Sequence, residues 1–202
     1  MRIGVLGGTF DPIHVGHLAA ARAALECESL DKVLFIPTGV PPHRGRAVAD
    51  GRDRLEMCRL AIAGERRFEV SDLEVRRGGT SYTVDTLRAL RGLHPDDTMV
   101  LILGWDAAKL FGTWREPGEI RRLASLIVVT RPGSGPLTAA SLEAAGLGPG
   151  DSVCERETPD ISGSELREEI ARGEPVGDCL PPAVERYIAE HGLYADNQQV
   201  GC

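Results

Sequence analysis

The chain has 202 residues, a formal net charge of −7 and a sequence pI of about 5.3. That length suits one α/β domain with a single sizeable core. An acidic protein repels the phosphate backbone of nucleic acids, so the charge balance predicts no nucleic-acid partner, although a local group of Arg, His and backbone N–H donors can still bind a small anion.

The cysteines are odd in number, scattered and never spaced as C-x-x-C. They are Cys27, Cys58, Cys154, Cys179 and Cys202. This pattern predicts neither a disulfide framework nor a structural zinc site, and it favours a reducing compartment, the cytoplasm. The apolar run Ile3–Leu6 is too short for a secretion signal, and no run approaches the roughly 18 residues that span a bilayer. We therefore expect neither export nor a membrane partner.

Short apolar runs rich in β-branched residues, bounded by Gly, Pro or charge, predict buried strands. They are Ile3–Leu6, Val33–Ile36, Phe68–Val70, Val100–Leu103 and Leu126–Val129. Longer segments with helical spacing lie between and after them. They are His17–Cys27, Arg52–Ala63, Tyr82–Leu93, Pro117–Leu123, Ser164–Ala171 and Pro182–His191. The alternation predicts an α/β fold: a Rossmann-like, doubly wound parallel sheet with C-terminal helices, whose ligands bind beyond the carboxyl ends of the strands.

Two segments fall outside this alternation. Pro132–Asp151, rich in Gly, Pro, Ser and Ala, predicts a surface loop around a weak helical piece at Ala139–Ala145. Residues 195–202 have nothing to bury and predict a disordered tail. We expect a single domain over residues 1–194, without internal repeats.

The segment that follows the first strand, residues 7–17, reads GGTFDPIHVGH and carries the strongest functional signal. Its two glycines let the backbone approach a ligand closely, and the start of the following helix offers N–H groups and the positive end of a dipole. His14 and His17 are three residues apart, so on a helix both imidazoles face the same phosphate oxygens. The segment predicts a phosphate site in which histidines replace the lysine of a Walker loop.

A simpler interpretation is a glycine turn followed by histidines that decorate a helix, and we would prefer it for an isolated H-x-G-H. The position at a strand-to-helix junction favours phosphate binding instead. Zinc binding is a weaker alternative, because no third Cys, His or carboxylate lies nearby in a familiar spacing. Nucleotidyl transfer needs alignment and charge neutralisation, which two imidazole donors can supply.

This segment resembles the signature of the H-x-G-H nucleotidyltransferase superfamily, specifically that of the nicotinate mononucleotide adenylyltransferases. Further segments match in order, and the resemblance runs from about Arg2 to Tyr194. They are VPPHR at 40–44, SYTVDTL at 81–87, GWD at 104–106, RPG at 131–133 and ISGSELR at 161–167. Together these motifs are far more specific than any one of them alone.

The resemblance implies the nucleotidyltransferase fold and an in-line attack by the phosphate of nicotinate mononucleotide on the α-phosphorus of ATP. The products are nicotinate adenine dinucleotide, a precursor in NAD biosynthesis, and pyrophosphate. ATP is then a co-substrate, and Mg²⁺ is bound mainly through its phosphates without an identified protein ligand. By resemblance, His14 contacts the α-phosphate, His17 helps to hold the triphosphate and Thr9 adds a contact.

The remaining ATP contacts are expected at two helix starts. Ser162 and Ser164 precede a helix that carries Arg167 one turn on; this arrangement either binds leaving pyrophosphate or is an ordinary N-cap. The family has another Ser where Gly163 stands, which removes one hydroxyl here. The Asp106 carboxylate either accepts a hydrogen bond from a hydroxyl group of the ATP ribose or caps a helix. The residues expected to bind ATP are Gly7, Gly8, Thr9, Phe10, His14, Gly16, His17, Gly104, Asp106, Ile161, Ser162, Ser164 and Arg167. Those expected to be catalytic are His14, His17 and Arg167.

The acceptor site is expected to offer an aromatic face, and the resemblance assigns Trp114 to the pyridine ring; without the resemblance a core position is preferred. The helix start at 81–83 could bind the nicotinate carboxylate, which would favour acid over amide. His43 and Arg44 either meet a phosphate or are solvated loop residues. Trp105 stands where the family commonly has a small residue. The residues expected to bind the acceptor are His43, Arg44, Ser81, Tyr82, Thr83, Trp114 and Arg131.

Three other functions stay open at this point. An adenylyltransferase that prefers the amide mononucleotide, or accepts both, is separated only weakly by sequence. A phosphopantetheine adenylyltransferase would be shorter and would usually lack the SYT segment and the loop Trp. A nucleotide sensor without turnover would not need Arg167 to stabilise a leaving group. The oligomeric state is not defined by the sequence, and a homo-oligomer stays open.

Overall fold

The structure is a computed structural model that describes residues 1–41, 47–130, 146–148, 150–156 and 158–195. The strands are β1 (Arg2–Gly8), β2 (Lys32–Pro37), β3 (Phe68–Val70), β4 (Thr98–Gly104), β5 (Ala124–Val129) and β6 (Ser152–Cys154). The helices are α1 (Val15–Cys27), α2 (Gly51–Ala61), α3 (Leu73–Arg77), α4 (Thr83–Leu93), α5 (Trp105–Lys109), α6 (Pro117–Leu123), α7 (Gly163–Ala171) and α8 (Pro182–Glu190). Short 3₁₀ turns lie at Phe111–Thr113 and Gly177–Cys179.

The strands form one parallel sheet in the order β3-β2-β1-β4-β5-β6. The chain proceeds outward from β1 to β3 and then returns to place β4 on the other side of β1. This reversal opens a crevice between the carboxyl ends of β1 and β4, which is where such sheets bind ligands. The predicted α/β doubly wound architecture is confirmed.

Strand side chains alternate between two apolar layers. In β2, Val33 and Phe35 face a first layer closed by α1, α2, α7 and α8, whereas Leu34 and Ile36 face a second layer closed by α4, α5 and α6. Each fully buried apolar side chain of this size contributes roughly 1.5–3 kcal/mol relative to an exposed one. Because both faces are covered, the sheet holds the loops at its carboxyl edge on a rigid base.

The predicted strands and helices are found, with ends that shift by a few residues. Three short elements, β6, α3 and α5, were not predicted, because three to five residues are too few to show a period. The weak helical piece at Ala139–Ala145 lies outside the described residues, as does most of the predicted loop and tail. Within the described residues, no helix has the length and apolar character needed to cross a bilayer.

The expectation drawn from the cysteines is wrong for one pair. Cys27, at the end of α1, and Cys154, at the end of β6, form a disulfide across a sequence separation of 127 residues. The bond depends on α1 packing against an edge strand, which cysteine spacing along the chain does not reveal. The inference of a reducing compartment therefore loses the support that it took from the cysteines.

Candidate active site

The first loop, residues 9–14, joins β1 to α1 at the crevice. A Cβ added to Gly7 would meet no atom within 4 Å, so the backbone there borders open space that a ligand could enter. A Cβ on Gly8 would lie 3.0 Å from the ring of Phe10. Phe10 has a left-handed backbone, φ 50°, and its side chain is only 2 % exposed. The ring of Phe10 is therefore packed inside the loop, and only the backbone of this residue is positioned to contact a ligand.

The structure brings the two predicted histidines together. Their ring centroids are 3.7 Å apart in a stacked arrangement, with His14 at the N-cap of α1 and His17 in its first turn. The backbone N–H of His14 donates to Nδ1 of His17 at 3.3 Å. Because Nδ1 accepts this bond, a neutral His17 carries its proton on Nε2. The ring of Phe10 meets His17 edge-on at 5.0 Å and limits its movement.

Gly16, between the histidines, has a steric role. A Cβ at this position would lie 3.0 Å from Nδ1 of His14 and 3.2 Å from the carbonyl oxygen of Pro159, closer than an ordinary contact. The glycine of the H-x-G-H motif thus lets three groups meet: the start of α1, the His14 ring and the segment that leads into α7.

Arg167 reaches from α7 back to the first loop. Its Nη1 donates to the carbonyl oxygens of Asp11, at 2.6 Å, and Gly163, at 3.1 Å, while Nη2 donates to Oγ of Ser164 at 3.1 Å. Ser162 caps the helix by accepting the N–H of Glu165 at 3.4 Å. The second group of predicted ATP residues therefore adjoins the first, and Ile161 anchors it by packing against the first apolar layer.

The missing hydroxyl at Gly163 does not reflect a lack of space. A Cβ there would lie 3.5 Å from the carbonyl oxygen of Asp11 and 3.8 Å from Nη1 of Arg167, both ordinary contacts. The backbone at this position therefore accepts a Cβ without displacing the arginine.

The carboxyl end of β4 supplies the other side of the crevice. Gly104 caps α5, and a Cβ on it would meet no atom within 4 Å. The side chain of Asp106 is 59 % exposed and forms an ion pair with Lys109 at 2.7 Å, so it is accessible to a ligand. The unusual Trp105 is 8 % exposed and packs into the second apolar layer.

Ser81 differs from its predicted role. Its N–H donates to the carbonyl oxygen of Val40 at 2.9 Å, and its Oγ accepts the N–H of Gly39 at 3.0 Å. Both groups therefore form hydrogen bonds that connect the segment after β2 to the segment before α4. Ser81 is also buried, with 5 % of its surface exposed. The helix itself begins at Thr83, with Tyr82 at the N-cap, so the half-buried helix start coincides with the other two predicted donors.

Two aromatic side chains could face the acceptor: Tyr82, at this helix start, and Trp114, which follows the 3₁₀ turn after α5. Trp114 is half-buried, with its ring centroid 5.7 Å from that of Phe111, and Tyr82 is half-buried beneath the guanidinium of Arg115, 4.7 Å from the ring centroid. Both pack against the second apolar layer and keep part of their surface exposed. The other predicted acceptor residues, His43, Arg44 and Arg131, lie outside the described residues.

Residues 5–169 match the model of the family described as cytidylyltransferase-like. The chain belongs to this family. It is 44% identical over 205 residues to a probable nicotinate-nucleotide adenylyltransferase of Symbiobacterium thermophilum, a match that covers 99% of this chain and 98% of that protein. It is 40% identical over 199 residues to the protein of the same description from Shouchella clausii, covering 98% and 99%.

Solved structures agree on the fold. The nicotinic acid mononucleotide adenylyltransferase of Plasmodium falciparum, determined in complex with NaAD, superposes with a TM-score of 0.78 at 20% identity, covering 96% of this chain and 97% of that one. At this identity the likeness establishes that the cytidylyltransferase-like chain has the same fold.

Sequence reasoning missed two buried residues that hold the first loop of the candidate site in this cytidylyltransferase-like protein. Asp11 is 7 % exposed, and its carboxylate accepts the N–H groups of Val48, at 2.7 Å, and Ala49, at 3.1 Å, and the hydroxyl of Tyr194, at 2.7 Å. Burial and then the neighbouring Asp11 raise the pKa of Tyr194. The position of Asp11 inside the signature segment was a signal that could have identified it.

Arg54 of α2 is the second missed residue, and it is only 2 % exposed. Its guanidinium donates from Nη1 to the carbonyl oxygen of Thr9 at 2.7 Å, from Nη2 to that of Gly39 at 3.2 Å and from Nε to that of Ala49 at 3.2 Å. In the sequence, Arg54 lies three and four residues before Met57 and Cys58, on the apolar face of the helix, and this is a detectable anomaly.

Among the described residues, no three His, Cys, Asp or Glu side chains converge in a way that could hold a metal ion. The donors that gather at the crevice are imidazoles, a guanidinium and helix N–H groups, which suit anionic oxygens.

Proposed function

We propose that this chain transfers the adenylyl group of ATP to nicotinate mononucleotide, forming nicotinate adenine dinucleotide and pyrophosphate, as a step of NAD biosynthesis. The observation that carries the proposal is the stacked pair of His14 and His17 at the start of α1. Arg167 bonds the same loop, at the carboxyl edge of the sheet. The full-length likeness to proteins described as nicotinate-nucleotide adenylyltransferases supports it.

The reaction forms a bond between a phosphate oxygen of the acceptor and the α-phosphorus of ATP, and it breaks the bond from that phosphorus to the bridging oxygen of pyrophosphate. Negative charge grows on the bridging oxygen as the bond breaks. The Nε2–H of His17 and the ring of His14 are the donors that we assign to these oxygens, with Arg167 on the leaving pyrophosphate. No covalent intermediate is needed, because alignment and charge stabilisation account for the catalysis.

ATP is proposed to enter as its magnesium complex, with the metal held by phosphates and water. The steps assigned to the protein are positioning and hydrogen bonding. Gly7 and Thr9 border the phosphates, and Asp106 is assigned to the ribose hydroxyls, where a strand-end carboxylate commonly binds. We place the reaction in the cytoplasm, where ATP is available.

The acceptor is proposed to lie with its pyridine ring against Trp114 and Tyr82. The N–H groups at the start of α4, from Thr83 onward, are assigned to the nicotinate carboxylate, because a helix N-terminus favours an anion over a neutral amide. His43, Arg44 and Arg131 are assigned to the acceptor on the resemblance alone. This arrangement predicts a preference for the acid.

The test is pyrophosphate release with ATP and Mg²⁺ and, in parallel, nicotinate mononucleotide, nicotinamide mononucleotide or phosphopantetheine. The proposal predicts rapid release with the first and a rate at least about tenfold lower with the second, since losing one charge-assisted contact costs roughly 1.5–3 kcal/mol. Equal rates with acid and amide would remove the specificity assignment. Release with phosphopantetheine alone, or with none of the three, would contradict the proposed reaction.

A further inference from the structure

Arg54 is a buried cation whose hydrogen bonds connect three separate segments. The carbonyl groups that it binds belong to the first loop, to the segment after β2 and to the residue that precedes the N-cap of α2. Among the described residues, Arg54 forms no ion pair within 4.0 Å, and its side-chain hydrogen bonds all go to backbone carbonyl groups. A buried cation without an ion-pair partner is destabilising. A role in stability alone would therefore not explain why an arginine occupies this position.

The bond to Thr9 controls the orientation of a strained peptide group. In a planar trans peptide, the C=O of Thr9 and the N–H of Phe10 point in opposite directions. Because Arg54 draws the carbonyl toward α2, the N–H of Phe10 points to the opposite side of the loop. Phe10 has φ 50°, a left-handed conformation that a non-glycine residue adopts only when its surroundings enforce it.

The same guanidinium adds positive charge beneath the loop. Thr9 lies within the signature segment, two residues after Gly7 and five before His14. In the low dielectric of the interior, a positive charge that is not ion-paired strengthens the attraction of nearby donors for phosphate oxygens. Because the protein has an overall charge of −7 and repels anions, a local positive field helps an anionic substrate to bind.

We propose that Arg54 is a positioning residue for adenylyl transfer, which holds the first loop and the segment after β2 in the arrangement required by ATP and supplies part of the positive field at the phosphate site. The inference rests on the proposed use of the first loop for ATP. It assigns to Arg54 no contact with the substrate; the residue acts through the Thr9–Phe10 peptide and through its charge.

Three variants separate geometry from charge. Arg54→Lys keeps the charge but cannot span three carbonyl groups, Arg54→Met removes both, and Arg54→Ala leaves space for a guanidinium ion. Arg59→Met is the matched control, because Arg59 lies on the same helix, is half-exposed and pairs with Glu56 at 3.2 Å. Thermal unfolding is measured first, so that each comparison uses folded protein.

The proposal predicts that folded Arg54→Lys loses about 10- to 100-fold in kcat with little change in KM for ATP, a loss typical of a misplaced reacting group. Arg54→Met is expected to lose a similar factor in kcat and also to raise KM for ATP. Guanidinium chloride, but not sodium chloride at equal concentration, should restore part of the activity of Arg54→Ala. Arg59→Met should match the unchanged protein in each measurement.

Binding of α,β-methylene ATP, measured by calorimetry, separates this inference from the choice of acceptor. The analogue needs no acceptor, so Arg54→Met should bind it about tenfold more weakly whether or not nicotinate mononucleotide is the substrate. Unchanged kcat, KM and analogue affinity in folded Arg54→Met would overturn the inference. Loss of the fold in every Arg54 variant, without recovery in guanidinium, would also overturn it and leave Arg54 a structural residue.

Discussion

Replacing Gly16 by alanine tests whether the position of His14 controls the chemistry. The added Cβ would lie 3.0 Å from Nδ1 and 3.2 Å from Cε1 of His14, and 3.2 Å from the carbonyl oxygen of Pro159, whereas ordinary contacts begin near 3.4 Å. The neighbours must therefore move by a few tenths of an ångström. A displacement of 1 Å in a reacting group costs about 100-fold, so we expect roughly a tenfold loss in kcat, or about 1.4 kcal/mol.

Stability should change little in the same variant. Alanine is favoured over glycine in a helix by roughly 0.5–1 kcal/mol, which offsets part of the strain from the close contacts. Gly92→Ala in α4 is the matched control, since a Cβ there meets no atom within 4 Å. It should gain stability and keep its kcat.

The assay is pyrophosphate release under saturating substrates, combined with thermal unfolding of each variant. A kcat for Gly16→Ala equal to that of the unchanged protein would refute the steric argument. A loss of activity that only parallels a large loss of stability would refute the claim that His14 is displaced within an intact fold.

Three further predictions address the histidine pair, the disulfide and the C-terminal contact. His17→Asn should lower kcat by at least about 100-fold, as removal of a positioned donor does, whereas His94→Asn on the surface should not; steady-state kinetics compares them. Cys27→Ser should lower the free energy of unfolding, measured by urea denaturation, by about 2–5 kcal/mol. Dithiothreitol should lower the stability of the unchanged protein by the same amount and leave that of the variant unchanged. Burial and Asp11 raise the pKa of Tyr194 in the folded protein. The tyrosine therefore contributes its full stabilisation below about pH 10 and loses it at higher pH, as the tyrosine of the unfolded chain ionises. Tyr194→Phe should show a smaller decrease in the free energy of unfolding above that pH.

The parts of the site that the sequence revealed are local ones. His14 and His17 lie three residues apart at a strand-to-helix junction, so spacing and periodicity alone bring their rings together. The long strands and helices were predictable for the same reason, because each displays its burial pattern within one segment.

The parts that it did not reveal depend on contacts between distant segments. Arg54 is buried because carbonyl groups from three segments converge on it, and the pairing of Cys27 with Cys154 requires α1 to pack on β6. Ser81 looked like a ligand donor because its helix start is visible in sequence, whereas its bonds to Gly39 and Val40 are not. Hydrogen bonds between distant segments are therefore what the sequence of a single segment does not show.

The most direct test of the central claim follows the adenylyl group itself. ATP labelled at the α-phosphate is incubated with the protein, Mg²⁺ and nicotinate mononucleotide, and the products are separated. Direct transfer predicts that the label moves into nicotinate adenine dinucleotide in a one-to-one ratio with released pyrophosphate, and that none stays on the protein. Label retained covalently on the protein, or released as free AMP without dinucleotide, would contradict direct adenylyl transfer to the acceptor.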